Sequence, residues 1–205
     1  MAIRWGFREE DSMLYNILRR VKKLDPKPRK IYCVGGQSQF FKRLISEFEV
    51  VCLDIDKSEL KIIERFCPLV QCICFNVEEW DFDIIPQESV ETLVFARSLH
   101  HMQEPQCVIK NAISVIKPTG ILLITDFTQE QMGLKLMRQQ VSLSSGCGFV
   151  EMKTYREMEQ DYKHLEKLGL GSRKDLVDFY RRTGLKNFRL YYSEGDYSLF
   201  WRKKV

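Results

Sequence analysis

The chain has 205 residues, 44% of them hydrophobic and 29% charged, with a formal net charge of +4. That length suits one domain with a substantial core, and no apolar run approaches the ~20 residues that span a bilayer. Met1–Gly6 lacks a basic-then-apolar leader, so a cytoplasmic protein is expected.

Residues 1–30 hold nine Arg or Lys and four acids, a local +5. Within them Met13, Leu14, Ile17, Leu18, Val21 and Leu24 recur at helical spacing, with Asp11 or Ser12 as N-cap. Asp25-Pro26-Lys27-Pro28 ends that helix, so residues 1–29 read as an accessory helical segment. A second basic stretch holds Arg173, Lys174, Arg181, Arg182, Lys186 and Arg189. Both are read first as solvated helix faces, with an anionic or nucleic-acid partner ranked behind.

Ile31–Val34 is the first strand, followed by the Gly35-Gly36 turn and by Phe40, Phe41, Leu44, Ile45 and Phe48 at helical spacing. Val50–Leu53 is a short, wholly apolar strand of the buried parallel type, closed by Asp54. Ser58 can cap a helix whose apolar face is Leu60, Ile62, Ile63 and Phe66, and Leu69–Phe75 is a third strand. Asn76–Phe82 reads as a loop with embedded aromatics. Val90–Ala96 is a fourth strand, followed by Arg97-Ser98-Leu99-His100-His101-Met102. Val108–Ile116 is helical, Lys117-Pro118-Thr119-Gly120 breaks it, and Ile121–Thr125 is a fifth strand closed by Asp126.

Alternating strands and helices over residues 30–127 call for a parallel sheet covered on both faces. Ligands of such sheets bind at the carboxyl ends of the strands. The Gly35 turn, Asp54, Asn76, the Arg97–Met102 loop and Asp126 all fall on that edge. Beyond it, residues 129–143 and Tyr155–Leu168 are helical, and 128–172 is a candidate lid. Arg173–Thr183 is a further helix, and Phe188–Tyr192 and Tyr197–Trp201 form an antiparallel hairpin within 173–205.

The seven cysteines are Cys33, Cys52, Cys67, Cys72, Cys74, Cys107 and Cys147. An odd number, with at least four in apolar strand patterns, points to reduced, buried thiols rather than disulfides. Cys67, Cys72 and Cys74 include no Cys-x-x-Cys pair and have no histidine nearby, so no metal site is expected.

Among the polar residues of the carboxyl edge, Asp54 can accept two ribose hydroxyls, its bland alternative being to cap the next turn. Asn76 is as readily a turn residue, and Asp56 suits a helix start. Adjacent His100 and His101 point in different directions, so at most one is expected to face a substrate, orienting it or taking a proton. Arg97 can pair with a carboxylate or phosphate, or with an acid of the lid. Trp80, Phe82, Tyr155 and Tyr162 can wall a pocket or join the core.

With these pieces in order, the chain resembles the class I S-adenosylmethionine-dependent methyltransferases, especially the small-molecule branch of ubiquinone and menaquinone biosynthesis. The resemblance covers about residues 30–127. It rests on Val50-Val51-Cys52-Leu53-Asp54-Ile55-Asp56, Leu99-His100-His101-Met102, Val115-Ile116-Lys117-Pro118-Thr119-Gly120 and the fifth strand. It implies a Rossmann-like fold: a mostly parallel seven-stranded sheet with a C-terminal antiparallel hairpin and helices on both faces. It implies S-adenosyl-L-methionine as cofactor, held by Gly35, Gly36, Asp54, Ile55, Asn76, Val77 and Ala96. His100, His101 and Arg97 are then the catalytic candidates, and a small molecule the methyl acceptor.

The family's first motif, acid-x-Gly-x-Gly-x-Gly, is represented here by Cys33, Gly35, Gln37 and Gln39. A catalytically inactive, methyltransferase-like partner protein is therefore a second reading, in which Gly at 37 and 39 would improve cofactor binding. An RNA methyltransferase is a third, though Ala96-Arg97-Ser98-Leu99 lacks the Asn/Asp-Pro-Pro-aromatic signature. A nicotinamide dehydrogenase would need glycine at 37 and 40, where Gln and Phe stand.

Overall fold

The computed structural model describes residues 29–36, 41–42, 44–144, 149–192 and 196–204, with the backbone alone over 138–144 and 149–154. The expected helix of residues 1–29 lies outside the described residues apart from Arg29, and so do Gln37, Gln39 and Cys147.

Seven strands form one sheet in the order β3-β2-β1-β4-β5-β7-β6. They are β1 (Lys30–Val34), β2 (Glu49–Asp54), β3 (Val70–Cys74), β4 (Val90–Ala96), β5 (Ile116–Asp126), β6 (Arg189–Tyr192) and β7 (Tyr197–Arg202). The first five pair in parallel, and β7 runs antiparallel to both β5 and β6. This is the expected Rossmann-like arrangement. The helices are α1 (Lys57–Phe66), α2 (Pro105–Val115), α3 (Gln129–Ser144), α4 (Phe149–Lys167) and α5 (Arg173–Arg182). None of the helices among the described residues is long and apolar enough to cross a membrane.

The period-two alternation of strand side chains divides the core. Val51, Leu53, Leu93, Phe95, Leu122 and Ile124 belong to one buried cluster, and Val50, Cys52, Val94, Ile121 and Leu123 to the other. Both faces are apolar because helices cover both, as parallel strands require. From β1 the chain winds outward to β3 and then returns to β4. The strand order therefore reverses between β1 and β4, which makes the carboxyl end of that pair the ligand crevice of an open α/β sheet.

Several boundaries differ from the sequence expectation. The Lys117–Gly120 break lies inside β5, where Thr119 has φ 69° and the register shifts opposite Val90/Thr92. Such a bulge absorbs the irregular residues without ending the strand. Helix α2 starts at Pro105, whose missing N–H suits the first helical turn, and α4 begins at Phe149. Trp80 is buried in the core, edge-on to Phe75 at 5.3 Å, and so is no pocket wall. Cys33, Cys52 and Cys67 are buried free thiols, but Cys74 is exposed and Cys72 half-buried because β3 is an edge strand. The basic residues of α5 are exposed, as expected for a solvated face.

Glu91 on β4 ties the start of β1 to the sheet. Its Oε2 accepts the N–H groups of Arg29 at 2.8 Å and Lys30 at 3.2 Å, and Lys117 lies 3.6 Å from Oε1. Partial burial alone would raise its pKa, but those donors and the lysine outweigh it and hold the carboxyl below the ordinary 4.5. A lowered carboxyl pKa contributes stability that is present above the unfolded value and lost as pH falls through the folded one. The stability gap between the parent and Glu91→Gln is therefore expected to be full at pH 7 and to shrink below about 4.5. Urea denaturation at pH 7 and pH 3.5 checks this, and an equal gap at both pH values would count against it.

Candidate active site

The glycine turn forms the first wall. Gly35 and Gly36 adopt φ 69° and 106°, values that side chains disfavour, and the Gly35 N–H donates to the Leu53 carbonyl at 3.1 Å. A Cβ on Gly35 would stand 3.0 Å from Ser98 Cβ. Ser98 follows β4 and donates through Oγ to the Val34 carbonyl at 2.9 Å. The turn after β1 and the loop after β4 are thus locked together at the strand-order reversal. Gly35→Ala is expected to cost about 1–2 kcal/mol from the positive φ alone, read as a melting temperature lower by roughly 5 °C.

The second wall follows β2 and β3. Half-buried Asp54 accepts the Asp56 N–H through Oδ1 at 2.9 Å, so it caps the next turn. Asp56 is the N-cap of α1, accepting the Ser58 N–H at 2.7 Å. Ile55 between them is 66% exposed, a large apolar side chain at the rim of the crevice. Asn76 accepts the Glu78 N–H at 3.1 Å and thereby shapes its own turn, while Val77 is packed in the core. Ala96, at the end of β4, is half-buried.

The third wall contains most of the ionisable chemistry. Leu99–His101 is a single 3-10 turn, and His100 within it is 4% exposed. Buried Asp126, at the end of β5, accepts the His100 backbone N–H through Oδ2 at 3.0 Å. Its Oδ1 accepts from His100 Nδ1 at 2.6 Å and from the Phe127 N–H at 2.8 Å. An ionised carboxylate offers only acceptors, so the proton of this pair lies on Nδ1, and Nε2 is turned toward the cleft. Burial alone would lower the pKa of His100, but Asp126 beside it, with Asp161 further off, raises it. His101 moves the other way, lowered first by desolvation and then by His100.

The two imidazoles do not diverge as expected. Their ring centroids are 3.9 Å apart at a 42° tilt, and both rings face Asp161 of α4. In a strand, neighbours point to opposite faces, but about three residues per turn places them on adjoining ones. His164, one helical turn beyond Asp161, donates from Nε2 to the Met102 carbonyl at 2.9 Å and binds α4 to this loop. Together His100, His101, Gln160, Asp161, Lys163, His164 and Lys167 line a cleft of about 380 Å³.

The start of α3 is tied to the loop that follows α4. The Gln129 and Glu130 N–H groups donate to the Leu170 and Gly171 carbonyls at 2.8 and 3.0 Å. Half-buried Tyr162 packs near Gly133, where a Cβ would approach its ring to 3.3 Å. Arg97, with φ 54°, lies 3.6 Å from buried Asp196 beside β7 and 5.6 Å over the Phe127 ring. One acid that Arg97 meets therefore comes from the C-terminal hairpin.

Sequence reasoning placed Asp126 on the correct edge but gave it no role, and it missed Asp161 and His164 altogether. The available signal was their spacing of three within a helical stretch, which puts a carboxylate and an imidazole on one face.

Residues 32–124 match a family model described as a methyltransferase domain. The match covers a little less than half of the chain. No curated protein sequence matches the chain. The plantazolicin methyltransferase BpumL, solved with a monoazolic desmethylPZN analog and SAH, has a TM-score of 0.72 at 9% identity, covering 97% of this chain and 86% of its own. The CurJ carbon methyltransferase (TM-score 0.66, 11% identity) and the citrinin polyketide synthase CMeT domain (0.67, 13%) cover 96% and 95% of this chain. The chain spans 54% of the CurJ chain and 52% of the citrinin one. At these identities the likeness is one of fold.

Proposed function

We propose that this chain transfers a methyl group from S-adenosyl-L-methionine to a small-molecule acceptor. The observation that carries the reading is the His100–Asp126 pair, which opens on the carboxyl edge beside the glycine turn, at the point where the strand order reverses. The residues of the first two walls suit the donor. Asp54 can accept the ribose hydroxyls, Ile55 offers exposed apolar surface to the base, and Asn76 and Val77 border the same loop. Gly35, Gly36 and Ala96 bring backbone close to the ligand.

When bound, the cofactor supplies a methyl group already activated by the sulfonium charge. The protein's task is then chiefly to align the acceptor and exclude water. His100 presents Nε2 to the acceptor, held in its tautomer by Asp126. His101 borders the same cleft, and Arg97 positions the loop through Asp196. The α3–α4 pair of residues 128–172 covers the cleft as a lid, beyond the donor-binding core of 30–127. The free thiols of Cys33, Cys52 and Cys67 support a reducing, cytoplasmic setting.

One observation favours the second reading, a partner protein without turnover. Cys33 stands where the family has an acid for the methionine amino group. Burial, followed by the neighbouring Cys52, pushes its thiol well up, so it stays neutral. A thermal-shift titration with S-adenosylhomocysteine tests donor binding, since a ligand of the folded state alone raises the melting temperature. No shift at millimolar ligand would sink the proposal. Binding without methyl transfer to any acceptor would select the second reading. Salt-sensitive RNA binding would move the acceptor to nucleic acid.

A further inference from the structure

The chain has three histidines, and all of them meet at the cleft between the 3-10 turn and α4. We propose that His100, His101 and Asp161 bind a divalent transition-metal ion, with Zn²⁺ the ion their chemistry fits best. His100 Nε2 lies 3.8 Å from Asp161 Oδ2, and His101 Nδ1 lies 3.6 Å from Oδ1. Both separations are too long for a good hydrogen bond. The three donor atoms all lie within 4.8 Å of one another.

Two imidazoles and a carboxylate form a three-ligand set that Zn²⁺ accepts, leaving a fourth position open. Tetrahedral bonds of about 2.0–2.1 Å place donor atoms roughly 3.4 Å apart. The two Asp161 separations thus close by a few tenths of an ångström. The His101 side chain is 62% exposed, which leaves its ring room to adjust.

Asp126 supplies a further argument. A metal-bound imidazole characteristically gives its other N–H to a carboxylate, which fixes the tautomer and raises its basicity. Asp126 does this to His100 at 2.6 Å, with both partners almost wholly buried. An ion-pair network would need only one acid beside His100, and Asp126 already fills that place. Asp161 is then the ligand that the second helix brings.

Positive charge surrounds the site. Lys163 and Lys167 line the cleft, and Lys135 is close enough to act on His100. Lys163 is partly balanced by Glu159 at 3.4 Å. These lysines lower the affinity for a cation and make the open position favourable for an anionic oxygen. That this oxygen belongs to the methyl acceptor rests on the function proposed above; the ion does not.

The experiment is calorimetric titration of the reduced, full-length protein with Zn²⁺, accompanied by Co²⁺ titration read through visible absorption. One ion per chain is expected, with tetrahedral cobalt bands. His101→Ala and Asp161→Asn, both at accessible positions, should each weaken binding by more than 100-fold. Asp126→Asn should weaken it by about 10- to 100-fold. Circular dichroism melts verify that the variants fold. No saturable binding, binding retained in the His101→Ala/Asp161→Asn double variant, or a cobalt–thiolate charge-transfer band would each overturn the proposal. S-adenosylhomocysteine titration of the same samples separates the two ideas. Donor binding without metal overturns only the ion, and metal without donor overturns only the donor.

Discussion

Asp126→Ala is expected to lower the unfolding free energy by about 3–5 kcal/mol, the usual consequence of removing one partner from a buried charged pair. In a chain of this size that is roughly 10 °C of melting temperature. The carboxylate accepts the Nδ1–H and backbone N–H of His100 and the backbone N–H of Phe127. Alanine leaves all three donors facing a methyl group in a region where Asp126 is 1% and His100 4% exposed. Water cannot readily replace the lost acceptor there, so the full desolvation penalty is felt. Glu104→Ala is a suitable control, because that exposed side chain caps nothing at the start of α2 and its loss should stay within about 0.5 kcal/mol.

Asp126→Asn separates stability from chemistry. It keeps the shape and one acceptor but aims an N–H at one of the His100 donors. The imidazole is then pushed toward the tautomer whose Nε2 carries the proton. Turnover should fall by about 100-fold, within the range for losing a positioned proton acceptor, while most of the stability remains. An Asp126→Ala melting temperature equal to that of the parent would show that the pair does not hold this turn.

Asp54→Ala is expected to weaken S-adenosylhomocysteine binding by on the order of 100-fold. Two hydrogen bonds to a charged acceptor contribute about 1.5–3 kcal/mol each, and 1.4 kcal/mol is a factor of ten. The stability cost should be much smaller. Asp54 accepts one amide, from Asp56 at 2.9 Å, at a half-buried position, and losing such a bond costs about 1 kcal/mol. Isothermal calorimetry at a temperature well below both melting transitions reads the affinity alone. A change under threefold would remove Asp54 from the donor site and leave it as a turn cap.

The core of the fold was legible because parallel strands advertise themselves. Val50–Leu53 and Ile121–Thr125 are short, unbroken apolar runs, and only a sheet covered on both faces buries every residue of such a run. Their alternation with helical spacing then dictated the carboxyl edge as the place for Asp54, Asn76, the histidine loop and Asp126. Boundaries were less legible. Lys117-Pro118-Thr119-Gly120 has the composition of a turn, yet it runs within β5 as a bulge because pairing with β4 resumes on the far side. Trp80, in a polar loop, was open to either a pocket wall or the core, and packing against Phe75 decides for the core.

The sequence by itself determined the sheet, the sidedness of the crevice and the methyltransferase resemblance, because these depend on local periodicity and short-range turns. Only the tertiary structure decided what surrounds His100. Asp126 lies 26 residues away at 2.6 Å, and Asp161 comes from a helix whose register against the 3-10 turn no periodicity specifies. Contacts between elements distant in the chain depend on how whole helices pack. A charged helical stretch does not record which of its residues will face a buried imidazole.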